Sequence, residues 1–319
     1  MVSIAVIIPA YRVSKQLPEV VAAIPDLIDR IVVVDDCCPE NSGQILEAMS
    51  DDSRLKIVRN DENLGVGGAV KVGFKIALAE GHDIIVKLDG DGQMDPHDVS
   101  KLTGPIVLGE ADYVKANRFF SASSFKGMPT HRLLGNAGLS FLSKFATGYW
   151  SVSDPTNGYI AVSSRSLALL DFERVHNRYF FECDLLYRAS LEQLVVQDIP
   201  IKAIYGSEKS SLSAVKALIT FPWLLARNTV KRILYRYYVR EWTAGSLELP
   251  AGLILFLWGS IFGLGQYLIA AESSRAITAG QATFSALALI LGLQLLLAFL
   301  SGDISAEPKT TRFKGDLID

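Results

Sequence analysis

Two stretches without a charged residue, "AGLILFLWGSIFGLGQYLIAA" (251–271) and "ATFSALALILGLQLLLAFL" (282–300), limit what this 319-residue chain can fold into. Each has about the length that an α-helix needs to cross a hydrocarbon core of ~30 Å. They lift the mean hydropathy to +0.27 although charged residues make up 20% of the chain. A buried helix pair in a soluble core normally shows a polar stripe or a breaker over such a length. Here the strongly polar positions are only Gln266 and Gln294. The two stretches are therefore expected to be transmembrane helices, and Gly259 and Gly263 have the spacing that lets helices approach closely in lipid.

The flanking charges set an orientation. Lys216, Arg227, Lys231, Arg232, Arg236 and Arg240 precede the first stretch, and Lys309, Arg312 and Lys314 follow the second. The connector "ESSRAITAGQ" holds one arginine. The positive-inside rule then predicts both termini on the cytoplasmic side, with a short external loop, in an inner or cytoplasmic membrane. The opening "MVSIAVIIP" lacks a basic n-region and its apolar run stops at Pro9, so it reads as a strand and not as a leader. Cys37, Cys38 and Cys183 have no metal-ligand spacing and are expected to be free thiols in a reducing compartment. His82, His97, His131 and His176 also lack such spacing and read as structural.

Segment 211–243 is basic and aromatic, with no acid until Glu241. Trp223, Tyr235, Tyr237, Tyr238 and Trp242 alternate with arginines there. A basic amphipathic helix next to a span is expected to lie in the headgroup layer. The same composition elsewhere suits nucleic acid, but the adjacent spans argue against a nucleic-acid partner.

The first 205 residues alternate near-continuous apolar runs with helical patterns. The runs "SIAVIIP" (3–9), "RIVVVDD" (30–36), "LKIVRN" (55–60) and "DIIVKLD" (83–89) fit strands buried on both faces, as in a parallel sheet. Helical patterns occupy 14–28, 41–50 and 66–80. This order predicts an α/β doubly wound sheet with ligands at the carboxyl ends of its strands. "PAYR", "DDCC" and "DGDG" follow directly after three of the runs, so one cleft is expected to collect them. The layout expected is a catalytic domain over 1–210, interfacial helices over 211–245, two spans within 246–302 and a tail over 303–319.

In "DGDGQMDP", Asp89 and Asp91 offer two carboxylates on a tight turn, which hard divalent cations favour, although an isolated Asp-x-Asp is also a common polar turn. Asp35 and Asp36 end another strand, where an aspartate accepts from a base or ribose, or simply caps a loop. "NLGVGGAVKVGF" lacks the third glycine of a dinucleotide fingerprint and the GKS or GKT of a Walker loop. It reads as a glycine-rich helix start that packs closely, with a phosphate as the ligand such a terminus suits. Arg118, Arg132 and Lys209 are surface charges singly and a phosphate-neutralising set together.

"VIIPAYR", "VVVDD", "NLGVGGAVKVGF", "DGDGQMDP" and "DPTNGYIAVSSRSL", followed by a terminal hairpin, resemble family 2 glycosyltransferases of the GT-A fold. The subgroup most alike is the membrane-anchored one of dolichyl-phosphate mannose synthases and bacterial polyisoprenyl-phosphate glycosyltransferases. The resemblance implies a Rossmann-like, mostly parallel sheet and a two-helix anchor. It implies that Pro9, Tyr11, Val34, Asp35 or Asp36, Gly90, Gln93 and Arg118 line a nucleotide-sugar site. It further implies that Asp89 and Asp91 hold Mg²⁺ or Mn²⁺, that Asp154 lies near the acceptor, and that Arg132 and Lys209 bind acceptor phosphate. "FECDLLYR" lays Glu182 on the catalytic-base position, where aspartate is usual. Arg12 and Val13 replace the usual acidic residue after "PAY", and the QxxRW pattern of processive synthases is absent.

The reaction expected is inverting transfer of one sugar from a nucleotide diphosphate sugar to a polyisoprenyl phosphate, with Asp91, Glu182 and Asp154 as catalytic candidates. A hydroxyl of a glycolipid or diacylglycerol is the alternative acceptor, and a silent nucleotide-sugar-binding scaffold the alternative class. The resemblance also allows a homo-oligomer and a flippase partner.

Overall fold

The computed structural model describes residues 2–120, 130–202, 214–273 and 275–313. Seven strands form one sheet: β1 (Ile4–Ala10), β2 (Arg30–Asp35), β3 (Leu55–Arg59), β4 (Ile84–Lys87), β5 (Tyr113–Asn117), β6 (Ile160–Ser163) and β7 (Val196–Pro200). Their order is β3-β2-β1-β4-β6-β5-β7. The pairs β1–β2, β1–β4, β2–β3 and β5–β7 are parallel, whereas β6 runs antiparallel to both β4 and β5. The four apolar runs read from the sequence are the first four strands. In β1, β2 and β4 the continuous Ile and Val content is explained by two cores, one on each face of the sheet; β3, expected to be buried on both faces, is instead the edge strand and is nowhere fully buried, with Leu55 and Ile57 packed partly against one core.

Helices α1 (Leu17–Ala22), α2 (Ser42–Met49), α3 (Val66–Ala79) and α4 (Val99–Val107) connect the early strands. The pattern over 14–28 yields only the six residues of α1. Pro18 sits in its first turn and Pro25 follows its end, where a proline disfavours helical geometry in the residue before it. Beyond β5 come α5 (Thr130–Thr147), α6 (Ser164–Leu169), α7 (Phe181–Leu191) and α8 (Ala214–Leu234).

The register decides where the loops converge. Pro9 pairs with Val34, and Ile7 with Lys87, so the ends of β1, β2 and β4 lie along one edge. Because β6 is antiparallel, Ile160 at its start pairs with Lys87 and Lys115. The segment leading into β6 therefore joins the same edge, as do the residues after Asn117.

By compactness the chain has two units: Met1–Thr229 with Pro308–Asp319, and Val230–Glu307. The second contains α9 (Gly245–Ser273) and α10 (Ala279–Ser305), which enclose the two uncharged stretches. Both are long and apolar enough to cross a membrane, and only 6% and 22% of their most apolar windows are buried within the protein. The small-residue spacing is used for packing between them. A Cβ on Gly259 would lie 3.0 Å from the Leu289 amide, and one on Gly263 would lie 2.4 Å from Ser285 Oγ. At the end of α10, Asp303 is buried and takes a bidentate contact from Arg232, at 2.8 and 2.9 Å, and a third bond from Tyr237 Oη at 2.8 Å. The tail folds back within the first unit, where Thr311 Oγ1 donates to the Gly109 carbonyl and Arg312 donates to Glu192.

Candidate active site

Lys87 is the last residue of β4, fully buried, and carries its ammonium to 2.7 Å from Asp89 Oδ1 and 3.4 Å from Glu182 Oε1. Burial alone would lower its pKa, but the charges of Asp89 and Glu182 outweigh burial and hold it above the ordinary lysine value. One cation thus fixes two carboxylates, one from the β4 turn and one from the start of α7. Gly158 covers this cluster. A Cβ there would fall 2.1 Å from Lys87 Nζ, 2.8 Å from Asp89 Oδ2 and 3.3 Å from Glu182 Oε1, so only glycine leaves room.

The acidic turn is shaped by its own backbone. Gly92 has φ +73°, a left-handed conformation that glycine adopts without strain, and the Gln93 amide donates to Asp91 Oδ1 at 3.0 Å. Gly90 lies against Leu17 and Ile8. Among the described residues no three His, Cys, Asp or Glu side chains converge as a metal site. Two carboxylates are a partial shell for a hard cation. Such a set fits Mg²⁺ or Mn²⁺ if water and substrate phosphate oxygens complete the coordination, as Mg²⁺ favours.

Asp154 is fully buried and takes a bidentate contact from Arg118, with Nε to Oδ2 at 2.8 Å and Nη2 to Oδ1 at 3.0 Å. The two residues flank the long excursion between β5 and β6. The Arg118 side chain remains about one third exposed. Lys115, a second fully buried lysine, donates to the Asn157 carbonyl, and burial pulls its pKa down against the opposing pull of Asp154, Glu182, Cys183 and Asp198.

Asp198 joins this group from β7. Its Oδ2 accepts from the Ser153 amide at 2.9 Å and from Asn117 Nδ2 at 2.7 Å, while Asn117 Oδ1 accepts from the Phe119 amide at 2.7 Å. Asp198 therefore ties the two loops that carry Arg118 and Asp154. Its Oδ1 is buried and has no hydrogen-bond partner among the described residues, and burial pushes its pKa up to about 6.

Asp35 and Asp36 are buried, and both carboxylates serve the protein. Asp35 accepts from the Cys38 and Gly43 amides at 2.8 and 2.7 Å. Asp36 accepts from the amides of Leu64 and Gly65 and from Asn60 Nδ2, which pins the loop before α3. The start of α3 does pack closely, as its glycines predict. It packs against the chain, however: Gly68 N donates to the Asn177 carbonyl, and a Cβ on Gly67 would lie 2.3 Å from the His176 carbonyl. That packing accounts for the glycines without a phosphate.

Of the remaining candidates, Pro9 and Tyr11 sit at the end of β1, with Tyr11 exposed under the Arg12 guanidinium at 5.3 Å. The Val34 side chain belongs to the core. The backbone of Arg132 lies in α5, but its side chain, like the whole of Lys209, falls outside the described residues. Sequence reading passed over Lys87, Lys115, Gly158 and Asp198. The lysines did leave a signal, since "IIVKLD" and "YVKAN" place a cation inside a strand whose neighbours are apolar, and a buried cation needs partners.

A seven-stranded sheet of this order, with an acidic turn after β4 and a charged cluster at the carboxyl edge, defines a GT-A-like α/β fold. Glycosyl transferase family 2 matches residues 5–169, more than half of the chain. The chain belongs to that family and is a glycosyltransferase. It is 32% identical to UDP-N-acetylglucosamine--dolichyl-phosphate N-acetylglucosaminyltransferase of Methanococcus voltae, over 68% of this chain and 92% of the relative. It is 29% identical to polyprenol monophosphomannose synthase of Mycolicibacterium smegmatis, over 61% of this chain and 75% of the relative. Among solved structures, glucosyl-3-phosphoglycerate synthase of Mycobacterium tuberculosis, in complex with Mn²⁺, UDP and phosphoglyceric acid, has the same fold. The TM-score is 0.53 at 18% identity, covering 72% of this chain and 78% of that one.

Proposed function

We propose that the chain transfers a single sugar from a nucleotide diphosphate sugar to a polyisoprenyl phosphate, with inversion, at the cytoplasmic face of the membrane. The observation that carries this reading is the joint presence of the family domain, two helices fit to cross a bilayer, and relatives named for transfer to dolichyl or polyprenol phosphate. Both termini lie in the cytoplasm under this reading, as the basic flanks favour.

An acceptor phosphate oxygen attacks the anomeric carbon while the bond from that carbon to the donor's phosphate oxygen breaks. Asp89 and Asp91 would hold a divalent cation, which would supply positive charge to the departing diphosphate. Lys87 keeps Asp89 and Glu182 at fixed separation from its ammonium. Arg118, oriented by Asp154, offers a guanidinium to an anionic substrate group. Tyr11, Pro9 and Gln93 border the nucleotide end, where Asp35 and Asp36 act by holding the loops in place.

A phosphate monoester, with a second pKa near about 6, is already ionised at neutral pH and needs no base. Glu182 lies 3.4 Å from the Lys87 ammonium, and a phosphate acceptor needs no base from it, whereas a hydroxyl acceptor would.

Membranes containing the protein, given labelled nucleotide sugars and Mg²⁺ or Mn²⁺ with and without polyisoprenyl phosphate, test the reading. Acid-labile labelled lipid that requires the added acceptor, is lost with chelator, and is reduced at least 100-fold in Asp91→Ala is the expected result. Acid-stable lipid without the added phosphate would move the assignment to a hydroxyl acceptor. No transfer with any donor, despite nucleotide binding, would point to a scaffold.

A further inference from the structure

Local contacts fix how the Arg118 guanidinium is turned. Asp154 takes its Nε and Nη2 and also accepts from the Arg118 amide at 3.2 Å. The guanidinium carbon lies 5.5 Å from the centroid of the Phe119 ring. Arg118, Phe119 and Asp154 all sit on chain that leaves the sheet after Asn117 and returns at Ile160. Contacts among them set an orientation. Holding that group in place at the sheet edge takes an anchor on a strand.

Asp198 has the geometry of that anchor. It lies in β7, in register with Lys115 of β5, so strand pairing fixes its backbone. Its Oδ2 accepts from the Ser153 amide at 2.9 Å, one residue before Asp154. The same oxygen accepts from Asn117 Nδ2 at 2.7 Å, and Asn117 Oδ1 in turn accepts from the Phe119 amide at 2.7 Å, one residue after Arg118. One atom thus holds both roots of the chain that carries the ion pair. The other oxygen, Oδ1, is buried and has no hydrogen-bond partner among the described residues. The link therefore runs through a single acceptor oxygen, which an amide carbonyl also supplies.

The precision matters because a guanidinium binds phosphate through a planar fork of donors. A shift of about 1 Å in such a group, caused from a distance, can cost about 100-fold in rate. We propose that Asp198 is a positioning residue for substrate binding, which holds Arg118 at the sheet edge so that its guanidinium meets a substrate phosphate. This rests on the proposed role of Arg118 toward an anionic substrate group. The donor's diphosphate and the acceptor's monoester share the chemistry that this guanidinium recognises.

Steady-state kinetics of the full chain in nanodiscs, with KM measured for nucleotide sugar and for lipid phosphate separately, test the assignment. Arg118→Ala should raise KM at least tenfold for one of the two substrates, and the one affected identifies the phosphate. Asp198→Ala should raise KM for that same substrate at least fivefold and leave KM for the other within twofold. Asp198→Asn keeps an acceptor oxygen and should bring the raised KM back to within twofold of wild type. In the Arg118→Ala background, Asp198→Ala should add less than twofold, because its effect passes through the guanidinium. A fall in kcat with both KM values unaltered would overturn the proposal. So would a rise for the other substrate, a full additional rise in the double variant, or an Asn variant as impaired as the Ala one. Should Asp198→Ala not fold, Asn117→Ala cuts the link to Phe119 and should raise the same KM at least threefold; no rise there overturns the proposal equally. Unchanged KM for both substrates in Arg118→Ala would instead remove the reading of Arg118, and this proposal with it.

Discussion

At Gly158 one methyl group decides whether three charged side chains can meet. The space a Cβ needs is taken by Lys87 Nζ, Asp89 and Glu182, and the lysine has no slack because it is fully buried. Gly158→Ala should therefore push the ammonium off its carboxylates, cutting sugar transfer by at least 100-fold and costing about 1–3 kcal/mol of stability. Transfer assays and thermal melting of the purified variant check both parts. Unaltered transfer would mean that the cluster does not position the acidic turn. Asp198 gives a second residue-scale expectation, this one in pH. Its folded-state pKa of about 6 lies above the ordinary aspartate value, with Lys115 and Asp154 as the charged groups facing it. Between those two pKa values the folded protein binds the proton more readily than the unfolded chain. Stability from this group is thus fully present below about pH 4 and falls by about 2–3 kcal/mol as pH rises through 6. Asp198→Asn should remove that fall. Wild type and variant, unfolded by denaturant in detergent at pH 4.5 and pH 7, should differ in how much stability they lose on raising the pH.

At the scale of elements, the antiparallel strand β6 does more than extend the sheet. Its direction turns the segment 154–159 toward the ends of β4 and β5, which is why Asp154, Asn157 and Gly158 meet residues 36 to 71 positions earlier in the chain. In the second unit the corresponding device is a charge. Arg232, on α8, is 2% exposed, and Asp303 near the end of α10 supplies both oxygens to its guanidinium. Removing the carboxylate strands a buried cation, so Asp303→Ala should cost about 3–5 kcal/mol, whereas replacing both partners with apolar residues should cost much less. Denaturation of the two variants in detergent separates these outcomes. Similar losses in both would show that the pair's surroundings, and not the stranded charge, dominate.

For the whole molecule, the chain leaves the catalytic unit after Thr229, forms the helical hairpin, and returns at Pro308. The returning tail is held by Arg312, whose backbone amide reaches Asp112 and whose guanidinium reaches Glu192. A polar tail read from the sequence as a plain extension is therefore part of the catalytic unit's own packing, and the hairpin is tied to that unit by chain at both ends.

Local chemistry made much of this legible in advance. In β1, β2 and β4 runs of Ile and Val specify strands buried on both faces, and uncharged stretches of 21 and 19 residues specify long apolar helices, because both depend on side-chain transfer from water and not on partners. The turn at Asp89 and Asp91 was likewise readable, since glycine and aspartate at a strand end carry their own geometry. What the sequence left open is which charges meet. Asp35 and Asp36 look the same as Asp89 and Asp91 in one dimension, yet the first pair is consumed by backbone amides of nearby loops and the second is presented at the sheet edge. That difference, the pairing of Arg118 with Asp154, and the role of Gly158 depend on contacts between residues far apart in the chain. Strand order and register create those contacts, and they exist only once the sheet has closed.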